Sequence, residues 1–108
     1  MRFLGESEFR EFLRRHAFAV IHFDAVWDKR GLPLVRSNLA AAEQQFGALV
    51  GFAEVDVDRE TQLAVGIGLI NVPTVAYFRF GKLESAIFGE QQDIAELTSR
   101  LLMNLPLE

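Results

Sequence analysis

The chain has 108 residues, half of them hydrophobic and 10 of them phenylalanine, which is ample for one sizeable core. Its formal net charge of -4, with no dense cluster of lysine and arginine, disfavours nucleic acid as the main partner. The absence of cysteine excludes disulfides, thiolate nucleophiles and cysteine metal sites, and two histidines are too few for a histidine-rich metal site.

Length and composition also set expectations about domains, cofactors and location. We expect one domain over residues 1–108, with no metal and no cofactor. No apolar run approaches the roughly 20 residues that span a bilayer, so a membrane is not an expected partner. The N-terminus lacks the apolar segment of a signal peptide, which makes a cytoplasmic location the default expectation.

Helical and strand patterns alternate along the chain. Apolar residues at helical spacing predict a helix over residues 7–16, with Ser7 as its N-cap. A continuous apolar run over residues 18–23, broken only by His22, predicts a strand that is covered on both faces. A polar turn follows, and Pro33 fits the first turn of a second helix.

The rest of the chain continues this alternation from the end of the second helix near residue 46. Asp58 is interpreted as the N-cap of a short third helix. A strand, that helix, two hairpin strands and a last helix are predicted at residues 49–55, 59–67, 75–80, 82–88 and 92–104. The order α-β-α-β-α-β-β-α favours an α/β sheet with helices on both faces.

Two short segments carry a resemblance to a known family. Residues 23–31 read Phe-Asp-Ala-Val-Trp-Asp-Lys-Arg-Gly, and residues 70–74 read Ile-Asn-Val-Pro-Thr. In this order and spacing they resemble the active-site turn and the cis-proline loop of thioredoxins, with Trp27 as the family tryptophan and Pro73 as the cis residue. Val-Asp-Val-Asp at 55–58 and the glycines at 81 and 89 also match.

The resemblance covers nearly the whole chain, from about residue 7 to residue 105. It implies a thioredoxin-like three-layer α/β/α sandwich, with a central mixed sheet of four main strands flanked by helices. Asp28 and Gly31 stand where the family has its two redox cysteines, so the resemblance implies the fold but not disulfide exchange. His22 stands where the family has a buried aspartate, and Arg36 replaces a proline that kinks the long helix.

The leading hypothesis is a redox-inactive thioredoxin-like domain that acts in protein binding, as an accessory, assembly or chaperone-like factor. In the family, the backbone before the cis-proline pairs with an extended substrate segment, a mode of binding that needs no cysteine. The expected partner is a protein or an extended peptide, and the chain is expected to be a monomer or a weak homodimer. The candidate protein-binding residues are Trp27, Asp28, Arg30, Gly31, Val72 and Pro73.

Simpler roles stand beside these interpretations. Asp28 can simply cap the second helix, Trp27 can cover the core, and Lys29 and Arg30 can be solvated surface charges. For His22 a buried neutral side chain bonded to backbone or water is favoured over a proton acceptor or a pH-sensitive element.

Two other functions remain as alternatives. One is an enzyme with non-thiol acid/base chemistry at the same helix start, with His22 or Asp28 as the acid or base. The other is a purely structural dimerisation module that uses a sheet edge or the last helix. The acidic residues at 56, 58 and 60 lack the twelve-residue loop of an EF-hand, so we expect no calcium site there.

Overall fold

The computed structural model describes residues 3–25, 32–69 and 71–107. The helices are α1 Glu6–Arg15, α2 Leu32–Phe46, α3 Thr61–Gly66 and α4 Ile94–Leu102. The strands are β1 Phe18–Asp24, β2 Gly51–Asp56, β3 Thr74–Arg79 and β4 Lys82–Phe88. The predicted order α-β-α-β-α-β-β-α is confirmed. In the part of the chain that is described, no helix is long and apolar enough to cross a membrane.

The strands form one mixed sheet in the order β2-β1-β3-β4. Strand β1 pairs parallel with β2 and antiparallel with β3, and β3 pairs antiparallel with β4. Asp24 lies opposite Asp56, and Thr74 lies opposite both Phe23 and Phe88. These pairings bring the last residues of β1, β2 and β4 and the first residue of β3 to one end of the sheet, which we call the Asp24 end.

Alternate residues of the central strand β1 face two separate hydrophobic cores. Ile21 and Phe23 pack with side chains of α1 and α3 on one face. Val20 packs with side chains of α2 and α4, together with Tyr77 of β3, on the other. Both faces of the sheet are therefore covered by helices, and the predicted three-layer α/β/α sandwich with a mixed four-stranded sheet is confirmed.

Two predicted helix caps are wrong. Helix α1 begins at Glu6 after Gly5, not after Ser7, and the Glu8 carboxylate accepts a hydrogen bond from the Gly5 N–H at 3.1 Å. Helix α3 begins at Thr61 after Glu60, and Asp58 lies in the preceding turn, where its N–H donates to the Asp56 side chain at 3.1 Å. In both places an acidic side chain bonds a backbone N–H in the turn ahead of the helix.

The turn of the β3–β4 hairpin contains Gly81, as predicted. Phe80 and Gly81 have positive φ angles of 52° and 79°, as both central residues of a type I′ turn must have. Phe80 is 75% exposed and lies at the end of the sheet opposite the Asp24 end.

Candidate functional site

The predicted protein-binding surface is described only in part. Trp27, Asp28, Arg30 and Gly31 lie outside the described residues, as does Lys29. Their proposed roles, and the simpler alternatives for them, stay predictions. The described part of the surface is the segment around Val72 and Pro73.

Pro73 and Val72 lie at the Asp24 end of the sheet, immediately before β3. The Val72–Pro73 peptide bond is cis, Pro73 is buried, and Val72 is half-buried. The segment is held on both sides, because the Thr74 hydroxyl donates to the Asn71 carbonyl at 2.7 Å and the Gly89 N–H donates to the Pro73 carbonyl at 3.0 Å. Its backbone is thus fixed against β3 and the end of β4.

Val72 differs from its neighbours in its main-chain pairing. Among the described residues, no main-chain hydrogen bond reaches its N–H or its C=O. The pairing of Phe23 with Thr74 also places Val72 beside the point where β1 ends and the chain continues into residues 26–31. The described parts of the two segments that the sequence singled out, residues 23–25 and 71–74, therefore lie at one end of the sheet.

His22 lies in the core near the same end of the sheet, and its environment is ionic. The side chain is fully buried, with Nδ1 3.0 Å from Glu54 Oε2 and Nε2 3.1 Å from Asp24 Oδ2. The Asp24 carboxylate also accepts the N–H of Ala25 at 2.8 Å. His22 is buried as predicted, but the predicted hydrogen-bond partners, backbone or water, are wrong, because both ring nitrogens contact carboxylate oxygens.

Glu54 links this histidine to α2. The Oε2 atom of Glu54, which contacts His22, also accepts a hydrogen bond from Arg36 Nε at 3.0 Å. The Glu54 side chain is nearly buried. The Arg36 guanidinium is partly exposed and lies 5.5 Å from the centre of the Phe3 ring. Asp24, His22, Glu54 and Arg36 thus form one chain of contacts across β1, β2 and α2, which we call the buried ion cluster.

The pKa values within the cluster follow from these contacts. Burial by itself lowers the pKa of His22, but the hydrogen bonds to Asp24 and Glu54 and their negative charges outweigh it, so the pKa is raised. Burial raises the pKa of Glu54, but the contacts with His22 and Arg36 outweigh it, so this pKa is lowered. Both shifts favour charged side chains inside the protein.

The geometry bears on the alternative of an acid/base enzyme. His22 is sealed in the core, and both of its ring nitrogens are already engaged by carboxylates. This arrangement counts against proton exchange between His22 and a bound substrate, which needs a ring nitrogen within reach of that substrate. Within the described ranges, no group of three histidine, aspartate or glutamate side chains is arranged to hold a metal ion.

Sequence reasoning missed the roles of Asp24, Glu54 and Arg36. A signal was present, since His22 and Asp24 alternate within β1, and Glu54 interrupts an otherwise apolar run. Charged residues inside apolar strands are rarely buried without a partner, so Asp24 and Glu54 could have been expected to have one. The missing information was the register that sets His22 opposite Glu54.

Comparison with known proteins identifies the fold. Neither a protein-family model nor a curated protein matches the sequence. Among solved structures, a mutant thioredoxin from Halobacterium salinarum superposes with a TM-score of 0.82 at 21% identity, covering 100% of this chain and 90% of that one. Plasmodium falciparum thioredoxin also gives 0.82, at 16% identity, covering 93% and 98%.

A third match agrees with these two. Mitochondrial thioredoxin 3 of Saccharomyces cerevisiae in its oxidized form gives a TM-score of 0.77 at 23% identity, covering 97% of this chain and 92% of that one. The chain therefore has the thioredoxin fold, as the motifs indicated. It has this fold without any cysteine, so it lacks the thiolate on which thiol–disulfide exchange depends.

Proposed function

We propose that this chain is a redox-inactive thioredoxin-fold protein that binds an extended polypeptide segment of another protein. The single observation that supports this most is the main chain of Val72, which finds no main-chain partner among the described residues. An extended segment can pair with such a backbone by strand addition. This pairing uses no sulfur, so the loss of the redox cysteines does not remove it.

The remainder of the proposed surface would come from residues 26–31, which connect β1 to α2 in the sequence. Trp27 is the proposed aromatic anchor, since aromatic side chains often dominate binding energies. Asp28, Arg30 and Gly31 would line the same surface, and Pro73 would hold Val72 in place. An assembly factor, holdase or adaptor is the concrete form of this function.

The binding test uses a peptide that cannot undergo disulfide exchange, for example a dye-labelled insulin B chain with alkylated cysteines. Replacing Val72 by proline removes one backbone donor, which contributes about 0.5–1.5 kcal/mol to pairing. We therefore expect Val72→Pro to weaken binding by about two- to twelvefold in a fluorescence polarisation titration. Trp27→Ala should weaken it as well.

Leu49→Ala is the matched control for these variants. Leu49 is an apolar residue that is 67% exposed, and it precedes β2 at the opposite end of the sheet. Its replacement should leave the affinity unchanged. Equal affinities for wild type, Val72→Pro and Trp27→Ala, with the folded circular dichroism spectrum retained, would contradict the proposal. A separate assay with unmodified insulin should detect no disulfide reduction.

The alternative of a dimerisation module would use a sheet edge, such as the edge strand β4, or the last helix. The pairing of β3 with β4 is irregular between Tyr77 and Phe78, and a bulge of this kind disfavours edge-to-edge association. Size measurements at two protein concentrations separate the two functions, because a homotypic dimer gains mass at the higher concentration.

A further inference from the structure

We propose that a patch at the end of the sheet opposite the Asp24 end binds an acidic segment of a different polypeptide. The patch consists of Arg10, Arg14 and Arg15 of α1 and Phe80 of the β3–β4 turn, and we call it the Arg–Phe patch. These residues line an open groove of about 650 Å³. The proposal does not depend on the pairing of Val72, which lies at the other end of the sheet.

The groove lies between the end of α1 and the hairpin turn. Helix α1 ends at Arg15, shortly before β1 begins at Phe18. The Phe80 N–H donates to the Ala17 carbonyl at 2.6 Å, and the Phe80 ring centre lies 5.7 Å from that of Phe18. The turn is therefore fixed against the segment that follows α1, and the groove is part of the folded structure.

Phe80 is an unusual residue for its position in the turn. Its φ angle of 52° lies in the left-handed region, where bulky side chains are rare and a type I′ turn favours Asn, Asp or Gly. Phe80 is also 75% exposed, so the core gains little from its ring. An exposed aromatic residue held in an unfavourable backbone conformation is typical of a binding site.

The arginines supply more positive charge than α1 requires. Arg14 and Arg15 lie in the last turn, where they complement the helix dipole and pair with Glu11 at 3.6 and 3.2 Å. Arg10 lies earlier in the helix, and its side chain has no ion pair with any described residue. Arg10 and Arg14 are four positions apart, a spacing at which like charges repel each other on a helix surface. A carboxylate bound between them would remove this repulsion.

Charge complementarity favours an acidic polypeptide as the occupant. Three arginines line the groove, and no acidic side chain of the described residues does so. The chain as a whole nevertheless has a formal net charge of -4. The local positive charge attracts a short acidic segment, whereas the overall negative charge disfavours a long polyanion such as nucleic acid. Phe80 and Leu13, which also lines the groove, favour a segment that carries an aromatic residue among its acidic ones.

The binding test uses a dye-labelled peptide in which one phenylalanine is flanked by glutamates, followed by fluorescence polarisation. We expect saturable binding that weakens as the salt concentration rises, and no binding of the same peptide with lysine in place of every glutamate. Amide shifts during the titration should appear at residues 14–17 and 80–82 and not at Val72. The absence of saturable binding, or shifts confined to the Asp24 end, would overturn the proposal.

Two other occupants are distinguished by the same protein sample. Tighter binding of single-stranded DNA than of the acidic peptide would assign the patch to nucleic acid. A dimer of the free chain in light scattering that Phe80→Asn dissociates would assign it to a second copy of this chain. Either result would overturn the proposal.

Phe80→Asn separates a role in binding from a role in folding. Because Asn is favoured at this φ angle, the midpoint of urea denaturation should be equal to that of wild type or higher. The affinity for the acidic peptide should fall by about fivefold or more. Phe88→Asn is the matched control, since Phe88 is 60% exposed at the Asp24 end, and it should leave this affinity unchanged. An unchanged affinity in Phe80→Asn, or a lower urea midpoint, would contradict the assigned role.

Arg10→Gln tests the electrostatic part of the proposal. At low salt it should weaken binding of the acidic peptide by about 1.5- to fivefold, and at high salt by less. Arg59→Gln is the matched control, because Arg59 is an exposed arginine in the turn before α3, outside the groove. Equal effects of the two substitutions would show that only the net charge of the chain matters, and would overturn the Arg–Phe patch as a specific site.

Discussion

At the scale of one residue, Gly51 shows how closely the start of β2 approaches the side chain of His16, which follows α1. It begins β2 and is buried, and a Cβ at this position would lie 2.5 Å from Cγ of the His16 ring. The ring itself packs on Phe12, with 4.4 Å between the ring centres. Because the first ring atom meets the added carbon, rotation of the distal ring cannot relieve the clash.

We therefore expect Gly51→Ala to lower the free energy of unfolding by about 1–3 kcal/mol, measured by urea denaturation. In a His16→Ala background the same substitution should cost much less, because the clashing ring is gone. Gly66→Ala is the control, since its Cβ would meet nothing within 4 Å, and it should stabilise the chain by about 0.4–1 kcal/mol. A Gly51→Ala variant as stable as wild type would contradict this packing.

Single positions also show where sequence reasoning ends. The burial of His22 could be predicted from its apolar neighbours in the strand. Its carboxylate partners could not, because Glu54 is 32 positions away along the chain. The predicted caps at Ser7 and Asp58 are wrong for a local reason. Several acidic and hydroxyl side chains lie near each helix start, and they compete to accept hydrogen bonds from the same backbone N–H groups.

At the scale of elements, Gln92 joins the sheet to the segment that leads into α4. Its side-chain carbonyl accepts from the buried Tyr77 hydroxyl at 2.9 Å, and its amide donates to the carbonyls of Ile87 and Gly89, both at 2.9 Å. The side chain thus satisfies three polar groups from β3, β4 and the turn after β4.

Gln92→Ala leaves the Tyr77 hydroxyl without this partner inside the core, so we expect a loss of about 1–3 kcal/mol of stability in urea denaturation. Tyr77→Phe in the Gln92→Ala background should cost little further, because the unpaired hydroxyl is then absent. Gln91→Ala alters the neighbouring exposed glutamine and should change stability by no more than about 0.5 kcal/mol. Equal losses for Gln91→Ala and Gln92→Ala would show that these hydrogen bonds contribute nothing specific.

Element boundaries were predictable where local chemistry determines them. Strand β4 spans the predicted residues because the hairpin turn requires positive φ angles at its two central positions. Strand β2 was predicted to begin two residues early, since Leu49 and Val50 are apolar. Their N–H groups instead donate to the Phe46 carbonyl at 2.9 and 3.0 Å, so they close the end of α2.

At the scale of the whole molecule, the buried ion cluster sets a pH range of greatest stability. Glu54 has a lowered pKa, so its contribution is complete above its ordinary pKa of 4.5 and is lost as the pH falls through the folded value. His22 has a raised pKa, so its contribution is complete below 6.5 and is lost as the pH rises through the folded value. The two contributions are complete together only between pH 4.5 and 6.5.

We therefore expect the free energy of unfolding to be greatest within this interval and to decline on both sides. Urea denaturation across the pH range checks this expectation. In Arg36→Gln the decline on the alkaline side should persist, because the His22 contacts with Asp24 and Glu54 remain. A stability that keeps rising from pH 6.5 to about pH 9 would contradict the assignment of the charges.

The overall fold was more predictable than the site. The thioredoxin fold depends on the order of apolar strands and amphipathic helices, which this chain keeps at 16–23% identity to the thioredoxins compared with it. The proposed surface depends instead on residues 26–31, which lie outside the described part of the chain. Val72 could be singled out only by the motif around Pro73.

The central claim is that the backbone of Val72 pairs with an extended polypeptide without any sulfur chemistry. Its most direct measurement is residue-resolved amide exchange and chemical shift during titration with alkylated insulin B chain. We expect slowed exchange at Val72 and shifts at neighbouring amides of the Asp24 end, including Asn71 and Thr74. Changes confined to the opposite end of the sheet, around Leu49 and Phe80, with Val72 exchange unaltered, would contradict it.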